Sequence, residues 1–548
     1  MEDHSIQILH IDLSKQTFKL KVHSELKEYF GGVGISTALL YRYFEDFGYP
    51  KKRQTAPFVL AIGPFCGLFP GCSQAVASFV SPQTNNLGQS KAGGDLGLRL
   101  KAQGIDGLFV KGKASDPTLL KIDQGEVDFE KTSLWKQGTR NSFAKLRKEN
   151  PLASIAVIGP AGENGVRFAS VAVDNLSSFS RMGLGTVWGQ KKLKGIMVSG
   201  TNKINTPENK EYLKVSEKLS SLLGDPRPEG VRFGIREQNK KIWLLQAKMN
   251  GLPSKNFSEV KEGYLNLQRA LFSNTDERES CGLCPVSCKD IIEHSDNPLS
   301  ADYTTFTSLG PMLGITSAQA VLSLCEKAFN LGIDPVSLGS CLAFLVEKEN
   351  WEFGHNDALE ALLQGLVDRK EPWSKNLSFG VSKAASGKEA NYAMAISNLE
   401  LLPYFNGYFT ILSQTVSPET DIQYTGAHLL DLGNIIPDEK GVQKFISEEK
   451  KGILCLSLAS CPWLRGLYTL PQIFECSESL NLGWSHENLE ALSSKIYNLK
   501  WKLKTNLGFD WEGIAYPRRL FGTPTATGYL EEEDFLELIR LYQQQLNL

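Results

Sequence analysis

The chain has 548 residues, 41% of them hydrophobic and 22% charged, with a formal net charge of −2. That length exceeds what one ordinary hydrophobic core organises, so several domains are expected. The near-neutral charge excludes a large electrostatic footprint for nucleic acid. The Met1 end carries no basic, apolar leader, and no apolar run has membrane-spanning length. The expectation is therefore a large cytoplasmic enzyme that engages neither membrane nor nucleic acid. In a reducing compartment its ten cysteines read as metal ligands where they cluster.

Residues 5–23 alternate apolar and polar, which predicts two short strands joined by a turn at Ser14-Lys15. Gly31-Gly32-Val33-Gly34 opens an amphipathic helix to about Tyr43. From Gln54 to Ser90 there is no charged residue, yet Pro57, Gly63, Pro64, Gly67, Pro70 and Gly71 interrupt the run. It reads as buried strands (Phe58–Ile62, Ala75–Val80) and tight turns, not as a membrane helix. Such a stretch is either a β-rich core or a surface whose glycine backbone closely approaches a large or anionic ligand. Lys91-Ala92-Gly93-Gly94 then leads into a helix over Leu96–Ala102.

Further strands are expected at Gly107–Lys111, Leu119–Ile122, Ser154–Ile158 and Phe168–Val173. Two glycine clusters accompany them, Gly159–Gly165 and Arg181-Met-Gly183-Leu-Gly185. The second follows a Ser-rich turn instead of a strand, so it does not meet the context of a dinucleotide fingerprint. Arg181 and the Lys191-Lys192 pair suit phosphate oxygens, with a solvated basic face as the alternative for the pair.

A domain boundary is expected near Gly200–Pro207, with Thr206 as N-cap and Pro207 as first helical residue of a mainly helical region to about 395. Cys325, on an apolar helix face with Val321, Leu324, Ala328 and Phe329, reads as a packing cysteine, as does Cys341. The last region, from 396, begins irregularly around Pro403, Gly407 and Pro418. It ends in helices, one of them marked by Leu489, Leu492, Ile496, Leu499 and Leu503. The densest chemical signal is Cys281-Gly-Leu-Cys284-Pro-Val-Ser-Cys288, a C-x2-C-x3-C triplet. Three thiolates from one loop grip either an iron–sulfur cluster or a zinc ion, each with a fourth ligand from elsewhere.

Read together, these motifs resemble the aldehyde:ferredoxin oxidoreductase family. The collinear set comprises Gly31-Gly32-x-Gly34, Ser81-Pro82-x-Thr84, Gly88-x-Ser90-x-x-Gly93-Gly94, Asp106–Gly112 and Ile158–Asn164. It continues with Arg181-x-Gly183-x-Gly185, the cysteine triplet, Leu331-Gly-Ile-Asp334 and Pro517-x-Arg519. The resemblance implies an α+β protein, with a β-rich base (1–203) and two mainly helical domains (204–395 and 396–548) enclosing a cofactor site. It implies a tungsten or molybdenum bis-pyranopterin beside a [4Fe-4S] cluster, with Mg2+ as a further cofactor. The implied reaction takes an aldehyde and water to a carboxylic acid, or the reverse, with electrons passed to ferredoxin or an electron-transfer subunit. A homodimer is the implied assembly. The cofactor would carry the organic chemistry, and the protein would supply position, protons and electrostatics.

By the same resemblance the cluster ligands are Cys281, Cys284, Cys288 and a late cysteine. Cys461 is preferred because Ser457-Leu458 keeps the family offset, and Cys455 is second. The pterin contacts fall on Lys91, Gly93, Gly94, Arg181, Gly183, Gly185 and Asp334, and the catalytic pair on Asp302 as proton acceptor and His428 as proton donor. Several positions depart from the family pattern. Gln74 replaces an arginine, Lys91 an asparagine that would help hold magnesium, and Phe329 and Leu456 the leading acids of the two pterin motifs. Ala301-Asp302-Tyr303-Thr304 stands for an acid-rich Pro-Glu-Tyr-Glu. Asp334 also suits a helix N-cap before Pro335. Two alternatives follow: a divergent accessory or electron-transfer member of the fold, and a zinc-stabilised binding protein.

Overall fold

The computed structural model describes residues 5–49, 55–200, 203–225, 227, 235–249, 251–260, 264–273, 277–295, 297–419 and 421–546. The first 200 residues build two six-stranded sheets. One contains β1 (Ile6–Asp12), β2 (Thr17–His23), β3 (Phe58–Ala61), β4 (Ala75–Val80), β5 (Leu87–Ala92) and β6 (Gly107–Lys111), in the order β2-β1-β6-β3-β4-β5. The other contains β7 (Thr118–Asp123), β8 (Glu126–Lys131), β9 (Ser154–Ile158), β10 (Val171–Val173), β11 (Ser177–Phe179) and β12 (Leu193–Val198), in the order β11-β10-β9-β12-β7-β8. Only β1–β6 and β7–β12 run parallel; the other neighbours are antiparallel. The charge-free stretch supplies β3 and β4, every residue of which is buried. Leu9, Phe58, Leu60, Ala77, Val110, Ile158 and Ile196 share one core between the sheets, with Trp188 fully enclosed.

The outer face of the first sheet carries the helix Gly32–Phe47, one turn longer than the periodicity suggests. Helices Glu439–Ser457 and His486–Asn506 cover that helix, so residues from both ends of the chain share one core. Close approach explains the glycines here. A Cβ on Gly63 would lie 2.0 Å from the Leu458 carbonyl oxygen, so the partner that this glycine admits is the C-terminal chain itself.

The central helices form a separate core around Phe306, Leu338, Leu342 and Leu363. Cys325 and Cys341 are buried within it. The helix expected from Thr206 begins at Lys210 instead, and its N-cap is Asn209, whose side chain accepts the Tyr212 N–H at 2.7 Å. The cap follows the buried stripe Tyr212, Val215, Leu219 and Leu223, not the nearest Thr-Pro pair. Within this region a small sheet also forms from Glu277–Glu279, Lys289–His294 and Asn297–Ser300. The cysteine triplet is the connection between its first two strands. The fold class is therefore α+β, a β-rich N-terminal base followed by mainly helical regions.

Candidate active site and thiol quartet

The triplet loop packs back onto the first sheet. A Cβ on Gly93 would stand 2.6 Å from Cys281 Sγ, so only glycine leaves room for that thiol. Gly282 adopts a positive φ of 48° against Leu98 and Ser73, and Lys289 Nζ donates to Ser177 Oγ at 2.6 Å. Cys461 joins from the other side, where its N–H donates to the Gly71 carbonyl at 2.9 Å and the neighbouring Ala459 carbonyl accepts from Gln74 N–H.

The four thiols sense one another. Burial and then Cys281 and Cys284 push the Cys288 thiol up to about 12. Burial and then Cys288, with Cys281 and Cys284 behind it, push Cys461 well above the usual thiol range. Cys455 is raised by burial too, but the charges around it are Arg465 and Glu448. The late cysteine that faces the triplet is thus Cys461. Buried thiols raised in this way are unfavourable as thiolates on their own and favourable around a cationic centre. Among the described residues, no three His, Cys, Asp or Glu side chains are drawn close enough to share a single ion. A set of four thiols is the donor set of an iron–sulfur cluster.

Beside the quartet lies a cavity of about 200 Å³. Its walls come from Gln89–Lys91 at the end of β5, the Ser178–Arg181 turn, the helix starts at Asp302 and Asp334, Leu402 with Tyr404, and Asp421–Gln423. Lys91, Arg181, Asp302 and Asp334 all line it. Asp334 caps the helix Pro335–Lys348, accepting from Val336 and Ser337 N–H, and lies 3.4 Å from Arg181 Nη1. Its position is fixed across the interface, because Asp334 N–H donates to the Phe168 carbonyl and the Gly332 carbonyl accepts from Ser170. Asp302 is the N-cap of Tyr303–Leu309 and accepts Thr305 N–H at 2.7 Å; burial raises its carboxyl.

Lys91 is held by two carboxylates, Glu419 at 2.8 Å and Asp421 at 3.4 Å, and Lys500 meets the other Glu419 oxygen at 3.1 Å. Burial alone would raise Glu419, but Lys500 and Lys91 outweigh it and hold the carboxyl at about 2. Arg181 Nη2 donates to the Glu400 carbonyl at 2.7 Å. Two lining groups keep a buried polar atom without a protein partner: Arg181 Nε and Gln89 Oε1. Cations, carboxylates and orphaned polar atoms together suit a ligand with phosphate and amino-pyrimidine edges, so the donor chemistry fits a pyranopterin.

The remaining expected residues sit elsewhere. Gly183 has φ 83°, and a Cβ there would meet the Arg167 carbonyl at 2.0 Å; at Gly185 one would meet the Ser170 carbonyl at 2.3 Å. These glycines admit neighbouring backbone. A Cβ on Gly94 would lie 2.9 Å from Asp174 Oδ2. His428 does not line the cavity; its Nδ1 is 3.2 Å from the Ile422 carbonyl, behind the wall. Lys191 is neither a solvated face nor a cavity cation, because it is buried against the Gly112 carbonyl. Sequence reasoning missed Glu419, Asp421, Tyr404 and Tyr424. Lys91 was the available signal, since a lysine that close to a buried core needs a carboxylate.

Residues 8–200 match the family profile described as aldehyde ferredoxin oxidoreductase, N-terminal domain, and residues 240–546 match that for domains 2 and 3. The chain is 28% identical over 428 residues to the tungsten-containing aldehyde ferredoxin oxidoreductase of Pyrococcus furiosus, covering 73% of this chain and 70% of the relative. It is 26% identical over 432 residues to the Thermococcus kodakarensis protein of the same name, with the same coverage. A third relative, the WOR-like subunit of an aliphatic sulfonate oxidoreductase from Pyrococcus furiosus, is 26% identical over 428 residues, covering 69% of this chain and 66% of the relative. The solved BamBC active-site complex of benzoyl coenzyme A reductase, in complex with 1,5-dienoyl-CoA, shares the fold with a TM-score of 0.82 at 20% identity, over 98% of this chain and 94% of that one. With both family profiles matched in order along nearly its whole length, the chain belongs to the aldehyde ferredoxin oxidoreductase family.

Proposed function

We propose that this oxidoreductase converts an aldehyde and water to a carboxylic acid, and that the two electrons leave one at a time through a [4Fe-4S] cluster held by Cys281, Cys284, Cys288 and Cys461. The observation that carries this reading is a cavity lined by charged side chains next to the thiol quartet, whose Cys281 lies against Gly93, two residues beyond the lining Lys91. A tungsten or molybdenum pyranopterin bound in that cavity would supply the two-electron chemistry. Lys91 and Arg181 would meet its phosphates, and Asp334 and Asp421 its amino-pyrimidine edge. A division of the chain near residues 203 and 395 belongs to the same reading.

The chain's own residues then handle protons. Asp302, raised by burial, is a stronger base than an exposed carboxylate and takes a proton from water attacking the carbonyl. Tyr404 lines the cavity with it, and its phenol is a candidate proton donor to the carbonyl oxygen. His428 acts in that role only if its ring leaves the Ile422 carbonyl. Electrons pass to a ferredoxin or to an electron-transfer subunit, in keeping with the family name and with a relative described as a subunit.

A second reading, an electron-transfer or accessory member, is favoured by one observation. The cavity of about 200 Å³ is smaller than the roughly 300–1,000 Å³ of ordinary cofactor and ligand sites, and the Lys91 ion pairs narrow it. Aldehyde-dependent reduction of a viologen dye by anaerobically purified protein separates the two. The first reading predicts turnover that falls at least about a hundredfold in Asp302→Asn, the scale of a lost general base. A protein that carries its cluster and shows no turnover with any aldehyde supports the second.

A further inference from the structure

Between the quartet and the cavity stands Tyr424, fully buried in the short helix Ile422–Thr425. Asp421, Ile422 and Gln423, just before it, line the cavity. Its hydroxyl donates to the Ser460 carbonyl at 2.7 Å, the peptide immediately before Cys461. The same hydroxyl lies 2.8 Å from the Gln74 side-chain amide. The Gln74 atom at that distance is Oε1, so the phenolic proton has two acceptors to choose from, the Ser460 carbonyl and the amide oxygen. Gln74 in turn sends its backbone N–H to Ala459. The Ser460–Cys461 segment is thereby clamped between the first sheet and the tyrosine.

The ring of Tyr424 makes the other half of the link. Lys91 Nζ stands 4.4 Å from the ring centroid, within cation–π range. Lys91 itself faces the cavity and sits two residues before Gly93, the glycine that accommodates Cys281 Sγ. Lys91 thus faces the cavity and the buried ring whose hydroxyl holds the peptide before Cys461. In such buried surroundings a charge acts more strongly than in water.

We propose that Tyr424 and Lys91 form a coupling element that sets the reduction potential of the cluster to the charge state of the cavity, with Tyr424 as a positioning residue for Cys461. This inference rests on the proposed iron–sulfur cluster. Reduction adds negative charge to the cluster, and nearby donors and cations favour it. Loss of the Tyr424 hydroxyl leaves the Ser460 carbonyl oxygen without its donor beside the cluster, and loss of the Lys91 charge leaves Glu419 and Asp421 less compensated. Both changes disfavour reduction.

The test is a potentiometric titration of the cluster, followed by EPR, on anaerobically purified full-length protein and its variants. Lys91→Met is expected to lower the reduced-to-oxidised ratio about tenfold at a fixed potential, a fall of about 59 mV for one electron. Tyr424→Phe, which keeps the ring, lowers it by a smaller factor and shifts the EPR line shape. Lys91→Arg restores the wild-type potential. Full iron content with unchanged potential and line shape in both Tyr424→Phe and Lys91→Met overturns the coupling and leaves the cluster assignment standing. Absence of iron from the wild-type protein overturns both.

Discussion

The thiol quartet and the cavity beside it are built on opposite plans. Three of the four thiols come from eight consecutive residues on one inter-strand loop, with Gly93 and Gly282 leaving the space they need. The cavity is gathered from six separate stretches between Gln89 and Gln423, and its two lining cations are matched inside the protein by Glu419, Asp421 and Asp334. A site carried by one loop tolerates divergence around it. A site assembled from many segments changes whenever any of them changes.

The sharpest way to break the comparison is at the quartet's one distant member. Cys461→Ser is expected to lose most of the visible absorption of the cluster, whereas Cys455→Ser retains it, because only Cys461 faces Cys288. The reverse result would move the ligand into helix Glu439–Ser457. The cavity has its own critical group in Glu419. Removing its charge by Glu419→Gln leaves Lys91 and Lys500 buried without their shared partner, a change that costs about 3–5 kcal/mol. Chemical denaturation measures that loss, while the quartet, which does not use this carboxylate, is expected to bind iron as before.

A smaller effect comes from the bundle behind the cavity. Glu449 is buried, accepts hydrogen bonds from Ser417, Tyr497 and Tyr542, and is raised by burial to about 7. A carboxyl raised on folding contributes stability that is fully present below its ordinary value of 4.5 and is lost as pH rises through about 7. The stability difference between wild type and Glu449→Gln should therefore shrink by about 3 kcal/mol over that window. A pH-independent difference would mean that Glu449 stays ionised.

The two regions also differ in how far sequence reasoning reached them. The triplet stands out by its spacing alone, whereas the preference for Cys461 comes from the family resemblance, through its offset to Ser457-Leu458. Strands such as β3, β4 and β9 were readable because they are short, almost wholly apolar runs without a charged residue. The strand Glu277–Glu279 was not, because three charged residues carry no β pattern and pair only through the loop that the cysteines close. Thr206 lost its capping role to Asn209 because burial of Tyr212 and Val215, a tertiary event, decides where that helix starts. The carboxylate partners of Lys91 lie more than 300 residues away, at a distance no local pattern spans. The left-handed Gly183 fits a local backbone need and so resembles a ligand-binding glycine without being placed in the cavity wall.

The central claim is that the quartet holds an iron–sulfur cluster next to a redox cavity. Metal analysis with EPR of dithionite-reduced, anaerobically purified protein tests it most directly. The account predicts about four irons per chain and the signal of a single reduced [4Fe-4S] cluster, together with tungsten or molybdenum where the cavity is loaded. Zinc in place of iron, or no metal on the four cysteines, would contradict it.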